Sequence, residues 1–253
     1  MVPNLVSFEH GFVNTRDFSI HVSHWSGPVL TEPRKSIVLV PPFWEEMHVS
    51  RRFMACLARN IAPLGYHVFL YDPPGMGETL PSRPTTFLDH VAVLNLVLDF
   101  LEDKPKLLLS FRGGFLTVDR MLLETPERAS IHCTSGPIVE GEKLLHELLR
   151  QKSIASRLSG IDPITTDELK AQLASGKDIR IAGSPVTAAF AQQISAHSAP
   201  ASGGAVAQIQ IGLASERDRP AVPGFKFIET SAPDFWRDGT GDEIVFDALS
   251  KIV

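Results

Sequence analysis

Apolar and polar positions set up a hairpin at the start of the chain and then a strand–helix rhythm. Val6–Val13 and Phe18–Trp25 read as two short strands joined by the polar stretch Asn14–Asp17, a hairpin-like opening. Ser36–Val40 is an unbroken apolar, β-branched run closed by Pro41-Pro42, the pattern of a buried strand. Ser50 is placed to N-cap a helix running to about Pro63, with Gly65 marking its end. Tyr66–Tyr71 reads as the next strand, followed by the turn Asp72-Pro-Pro-Gly-Met-Gly77. A helix over about Phe87–Leu101 leads to the strand Lys106–Phe111. Gly113-Gly114 opens a helix over Phe115–Leu123, and Ser130–Cys133 is a further strand. Strands separated by helices imply right-handed βαβ units and a mostly parallel sheet.

The rhythm breaks between about residues 138 and 204. Gly141–Arg157, Thr166–Ser175 and Pro185–Ala196 have helical patterns, Asp178–Ala182 reads as a short strand, and Ser198–Gly204 reads as a flexible return linker. This stretch is expected to lie as an insertion over the carboxyl edge of the sheet. The strand Ala207–Leu213 and the weaker strand Phe225–Thr230 then resume the series, with no internal repeat. A hairpin, a parallel series and a late helical insertion suggest one α/β-hydrolase-like domain over residues 1–253. Its fold class is α/β, with a mostly parallel central sheet and helices on both faces.

Composition narrows the classes of function. The 253 residues are 43% hydrophobic and 21% charged, an ordinary globular balance. Lys and Arg number 24 against 29 Asp and Glu, and a net charge of −5 speaks against a nucleic-acid binder, which needs a basic footprint. Cys56 and Cys133 form no framework and no CxxC zinc spacing. No His/Asp/Glu cluster has metal-ligand spacing, so neither metal nor cofactor is expected. A basic leader followed by an apolar stretch is absent, as is any run long enough to span a membrane, and the expectation is a cytoplasmic protein.

In the expected fold the nucleophile stands on a sharp strand-to-helix turn, flanked by small residues because the backbone doubles back there. Leu107-Leu-Leu-Ser-Phe-Arg-Gly-Gly114 is the suitable turn. Ser110 as nucleophile would put Leu108 and Arg112 at the small positions, and Phe111 would put Leu109 and Gly113 there. Arg112 puts Ser110 and Gly114 there, and this register fits. Arginine therefore stands where a hydrolase carries serine. Asp218 is available for the acid after the Ala207–Leu213 strand, but the histidine is missing: of nine, none follows His197, so the last 56 residues have none. The serine route, in which histidine takes the nucleophile's proton, is not expected.

The loop Pro41-Pro-Phe-Trp-Glu-Glu-Met-His-Val-Ser-Arg-Arg52 resembles the hallmark of the exosortase A system-associated hydrolase 2 family, matching at Pro-Pro-Phe, Glu-Glu-Met and Ser-Arg-Arg. Asp72, Gly75 and Gly77 match the family's Asp-x-x-Gly-x-Gly turn, and Leu109-Ser-Phe-Arg-Gly-Gly114 is similar to its arginine-bearing elbow Trp-Gly-x-Arg-x-Gly. Pro137–Gly141, Ile181-Ala-Gly183 and Phe235-Trp236 resemble further landmarks. Departures are Leu109 for Trp, Ser110 for Gly and Glu78 for Asp. The resemblance implies a bacterial setting of exopolysaccharide production and envelope protein sorting, whose proteins would be partners.

A guanidinium at a helix N-terminus meets the positive end of the macrodipole, a penalty of a few tenths to about 1 kcal/mol, and asks for a counter-charge. Glu45 and Glu46 lie on the loop expected to face the elbow. Two readings stay open. In one, an Arg112–Glu46 or Arg112–Glu45 pair fills a dead site. In the other, Arg112 joins the backbone N–H groups of Gly113 and about Phe43, beside Trp44, to hold a small anionic or acyl ligand. Alternatives are an ester or thioester hydrolase with Asp218, Glu45 or Glu46 as base, and a non-catalytic interaction scaffold. Asp72 is expected to be structural, His48 superficial, and Arg51 and Arg52 packing or ion-pair residues. Cys133 has only His132 nearby, which should point to the opposite face. Phe225, Phe227, Phe235 and Trp236 read as core.

Overall fold

The computed structural model describes residues 6–27, 36–101, 106–160, 162–181, 183–199, 207–213 and 226–230; for 106, 212, 213 and 227–230 it describes the backbone alone. Asp218, Phe225, Phe235 and Trp236, and the segment expected to carry the missing histidine, lie outside these residues.

β1 (Ser7–Asn14) and β2 (Phe18–Ser26) form the opening hairpin in antiparallel register, Phe8 opposite Trp25 and Phe12 opposite His21. β2 runs antiparallel to β4 (His67–Tyr71), and β4 parallel to β3 (Ser36–Val40). From β3 the sheet continues in parallel through β6 (Lys106–Phe111), β7 (Ile131–Ser135), β10 (Ala207–Leu213) and β11 (Lys226–Thr230). The order is β1-β2-β4-β3-β6-β7-β10-β11, with the two-residue β5 (Leu80–Pro81) paired to β2. All five residues of β3 are buried, as the unbroken apolar run requires of an interior strand.

Helices cover both faces. On one, α1 (Trp44–Ile61) buries Phe53, Met54, Leu57 and Ile61 against Ile37, Leu39, Leu109 and Ile211. On the other, α2 (Phe87–Phe100) and α3 (Gly114–Glu124) pack over Val38, Val40 and Leu108. Burial of these side chains is the main stabilising term, on the order of 1.5–3 kcal/mol for each large one. A capping box at Thr86 and Asp89 fixes the start of α2.

The helix predicted to be capped by Ser50 begins seven residues earlier, at Trp44. Phe43 is extended and serves as N-cap without a side-chain bond, while Glu45 and Glu46 supply acid to the first turn. Ser50 is buried mid-helix, where its hydroxyl donates to the Glu46 carbonyl at 2.7 Å.

The insertion holds α4 (Gly141–Ser159), α5 (Thr166–Ala174), a small hairpin of β8 (Ile179–Ile181) and β9 (Ser184–Val186), and α6 (Ala188–Ser195). It is tied down at its base. Glu140 and Ser198 bridge antiparallel, Asp119 on α3 pairs with His197 at 3.0 Å, and the Thr187 hydroxyl donates to the Thr85 carbonyl at 2.6 Å.

Candidate functional site

Strand order reverses around β3: β4 lies on one side of it and β6 on the other. In open α/β sheets such a switch point leaves a crevice beyond the carboxyl ends of the strands, and ligands bind there. The segment after β3 carries Phe43 and the first turn of α1 with Glu45 and Glu46; the turn after β6 carries Arg112 and Gly113. Trp44, the first residue of α1, and Arg112, the first after β6, both have a positive φ of 49°. For residues with a Cβ this conformation costs about 1 kcal/mol or more.

The turn at Arg112 is held by its own backbone. Its N–H donates to the Ser135 carbonyl at 3.1 Å, and its carbonyl accepts from Phe115 at 3.2 Å and Ile138 at 3.3 Å. Gly114 is required by close approach, since a Cβ there would lie 2.5 Å from the Pro41 carbonyl oxygen and 2.8 Å from that of Val40. This steric demand made the Arg112 register legible.

The guanidinium lies between two carboxylates. Nε and Nη2 donate to Glu46 Oε1 at 3.3 and 3.2 Å, and Nη2 also donates to Glu147 Oε2 at 3.0 Å. Of the two acids expected to face the elbow, Glu46 does so, its side chain 5% exposed, while Glu45 points to solvent. Glu147 was not anticipated. It stands on α4 three residues after Leu144 and one before Leu148, both buried, so an acid shares the apolar stripe of that helix. That was its signal in the sequence.

Aromatic side chains fill the other side of the turn. Phe43 and Trp44 are each 2% exposed and meet Phe190 of α6 with ring centroids at 5.7 and 4.8 Å. His90 on α2 meets Phe43 at 5.1 Å and Phe190 at 5.3 Å. A Cβ on Gly113 would lie 2.8 Å from the Phe43 ring and 3.0 Å from Leu144, so apolar groups cover this position too. Burial pushes the His90 imidazole down to about 3, which keeps it neutral.

The other described candidates are bonded or buried elsewhere, or face solvent. Asp72 accepts from Arg51 at 2.6 Å and from the Glu78 N–H at 2.9 Å, with His21 Nδ1 at 3.2 Å. His48 and Arg52 point to solvent. Cys133 is fully buried against the α1 layer, and burial pushes its thiol up to about 12. His132 turns to the other face, stacks on Phe115 and meets Ser110 Oγ at 2.9 Å. That serine–histidine contact is sealed in the core, the two residues being 0% and 1% exposed, and burial pushes His132 down to about 3.

Beside Glu46, a cleft of about 480 Å³ opens between α1 and α4. Val49, Ile154, Ala155 and Leu158 form its apolar wall; Glu45, Glu46 and Arg150 supply charge. Among the described residues no group of three His, Cys, Asp or Glu side chains is arranged for a metal, and no helix is long and apolar enough to cross a membrane.

Solved structures share this architecture across the whole chain. A hypothetical protein from Pseudomonas aeruginosa matches with a TM-score of 0.61 at 13% identity, over 100% of this chain and 94% of its own. The mouse alpha/beta hydrolase domain-containing protein 10 matches with a TM-score of 0.61 at 13% identity, over 97% and 100%. The fold is that of the α/β-hydrolases. A predicted CIB-like hydrolase from Thermoplasma acidophilum agrees, with a TM-score of 0.56 at 12% identity over 97% and 99%. An epoxide hydrolase from Vigna radiata matches over 51% of this chain and 38% of its own, with a TM-score of 0.42 at 18% identity. No protein-family model and no curated protein matches the sequence.

Proposed function

We propose that this chain is a degenerate α/β-hydrolase, resembling the exosortase A system-associated hydrolase 2 proteins, that binds an acyl anion without serine catalysis. One observation carries the reading: Arg112 stands at the nucleophile turn with its guanidinium bonded to Glu46 and Glu147. One positive charge between two carboxylates is a poor receptor for a further anion. The Glu46 carboxylate is taken up by the Arg112 guanidinium, which weighs against hydrolysis through Glu46. The Phe43, Trp44 and Phe190 rings occupy the space where an acyl group would meet the turn.

The α1–α4 cleft offers a better seat. An acyl chain would lie along Val49, Ile154 and Leu158, residues that are 50%, 45% and 84% exposed, with its carboxylate on Arg150 at the rim, a guanidinium that, unlike that of Arg112, is bonded to no carboxylate among the described residues. The 41–52 loop supports a cytoplasmic role beside exopolysaccharide and protein-sorting systems. Two measurements test the proposal. A fluorophosphonate probe should leave the protein unlabelled, and calorimetry with decanoate should show binding that Arg150→Glu removes. Labelling with burst turnover of acyl esters overturns the degenerate reading; decanoate binding unchanged in Arg150→Glu, or none at all, overturns the ligand.

A further inference from the structure

We infer that two copies of this chain associate through β1, pairing edge to edge into one continuous sheet. β1 ends the strand order, and among the described residues no strand pairs with its outer edge. Residues 7–12 are exposed one after another, and Phe8 and Phe12 are 53% and 51% exposed although both are large apolar groups. They stand with His10 on one face, over Trp25 at 5.0 Å and His21 at 5.3 Å. Exposed edges are ordinarily guarded by lysine, proline or a bulge. Ser7–Asn14 has no lysine, arginine or proline, its only carboxylate is Glu9, and its register with β2 runs unbroken from Ser7 to Asn14.

The sequence of β1 selects a second copy of itself as occupant. A two-fold axis perpendicular to the sheet keeps each side chain on its own face, so opposed residues must be an even number of positions apart. Centring the axis on Glu9 opposes two carboxylates, and centring it on Gly11 leaves Phe8 opposite Asn14. Centring it on His10 places Phe8 opposite Phe12 of the second copy twice over and Glu9 opposite Gly11. Cross-strand aromatic pairs are favourable and like charges directly opposed are not, so the His10-centred register is selected. One short strand from each copy falls below the roughly 800 Å² per partner of a standard interface, so the dimer is weak and depends on concentration.

Sedimentation velocity of the full chain over a concentration series tests this. The unmodified protein should pass from monomer to dimer. Phe8→Lys/Phe12→Lys should weaken association about tenfold or more, at an unchanged circular dichroism spectrum. Phe12→Thr, which suits a strand, should weaken it in the same direction and covers the case in which the double variant fails to fold. Amide exchange in β1 should slow as concentration rises. A protein that stays monomeric into the sub-millimolar range overturns the inference. So does a dimer indifferent to both variants, or β1 protection that is the same at every concentration, which means the chain covers its own edge.

Discussion

Replacing Arg112 by methionine keeps much of the side-chain length and stem packing but removes the charge. Glu46, whose side chain is 5% exposed, then loses the guanidinium that donates to it at 3.2 and 3.3 Å. Removing one partner of a buried pair costs about 3–5 kcal/mol because the other charge is left uncompensated. Arg112 itself is 25% exposed, so some water already reaches the pair and the lower end, about 3 kcal/mol, is expected. For a chain of this size that corresponds to a fall in Tm of about 6–12 °C. Glu147 is 30% exposed and can return to solvent, so Glu147→Gln should cost about 0.5 kcal/mol or less.

The informative variant is the double replacement Arg112→Met/Glu46→Met. If the pair is a charge-compensating centre, an apolar pair of similar volume should recover most of the loss, leaving the double variant within about 1 kcal/mol of the parent. Urea unfolding followed by circular dichroism supplies the double-mutant cycle. A single Arg112→Met loss below about 1 kcal/mol refutes the argument, as does a double variant no more stable than the single one.

His90 is buried as the neutral imidazole, with a folded value pushed down to about 3 against about 6.5 unfolded, so its contribution is complete above pH 6.5 and is lost as pH falls toward 3. The loss between pH 7 and pH 5 should be about 2 kcal/mol, and a series of urea midpoints for His90→Phe should show a correspondingly shallower acid limb. Asp72→Asn breaks the charge-assisted bond to Arg51 and should cost about 2 kcal/mol, read from the unfolding midpoint. Gly114→Ala drives a Cβ into the Pro41 carbonyl and should lower stability by about 2 kcal/mol or more, measured the same way.

Local chemistry made much of the scaffold legible, and the limits of that legibility have physical causes. The strands read correctly because β3 and β6 are short apolar runs bounded by Pro41 and by the Gly113–Gly114 pair. The turn register read correctly because only a glycine at 114 lets α3 start against the end of β3. The start of α1 was misplaced because Phe43 caps it with backbone geometry alone, and a serine further on offered a stronger local signal. Glu147 and Phe190 reach the turn from the insertion, and nothing local links them to Arg112. Their arrival alters the chemistry expected of the site. Arg112 viewed alone invites an anion, whereas Arg112 with Glu46 and Glu147 is already neutralised, and Phe190 against Phe43 and Trp44 closes the apolar side. The insertion supplies the second counter-charge through Glu147 and the apolar contact through Phe190, and it leaves accessible apolar surface at the cleft between α1 and α4.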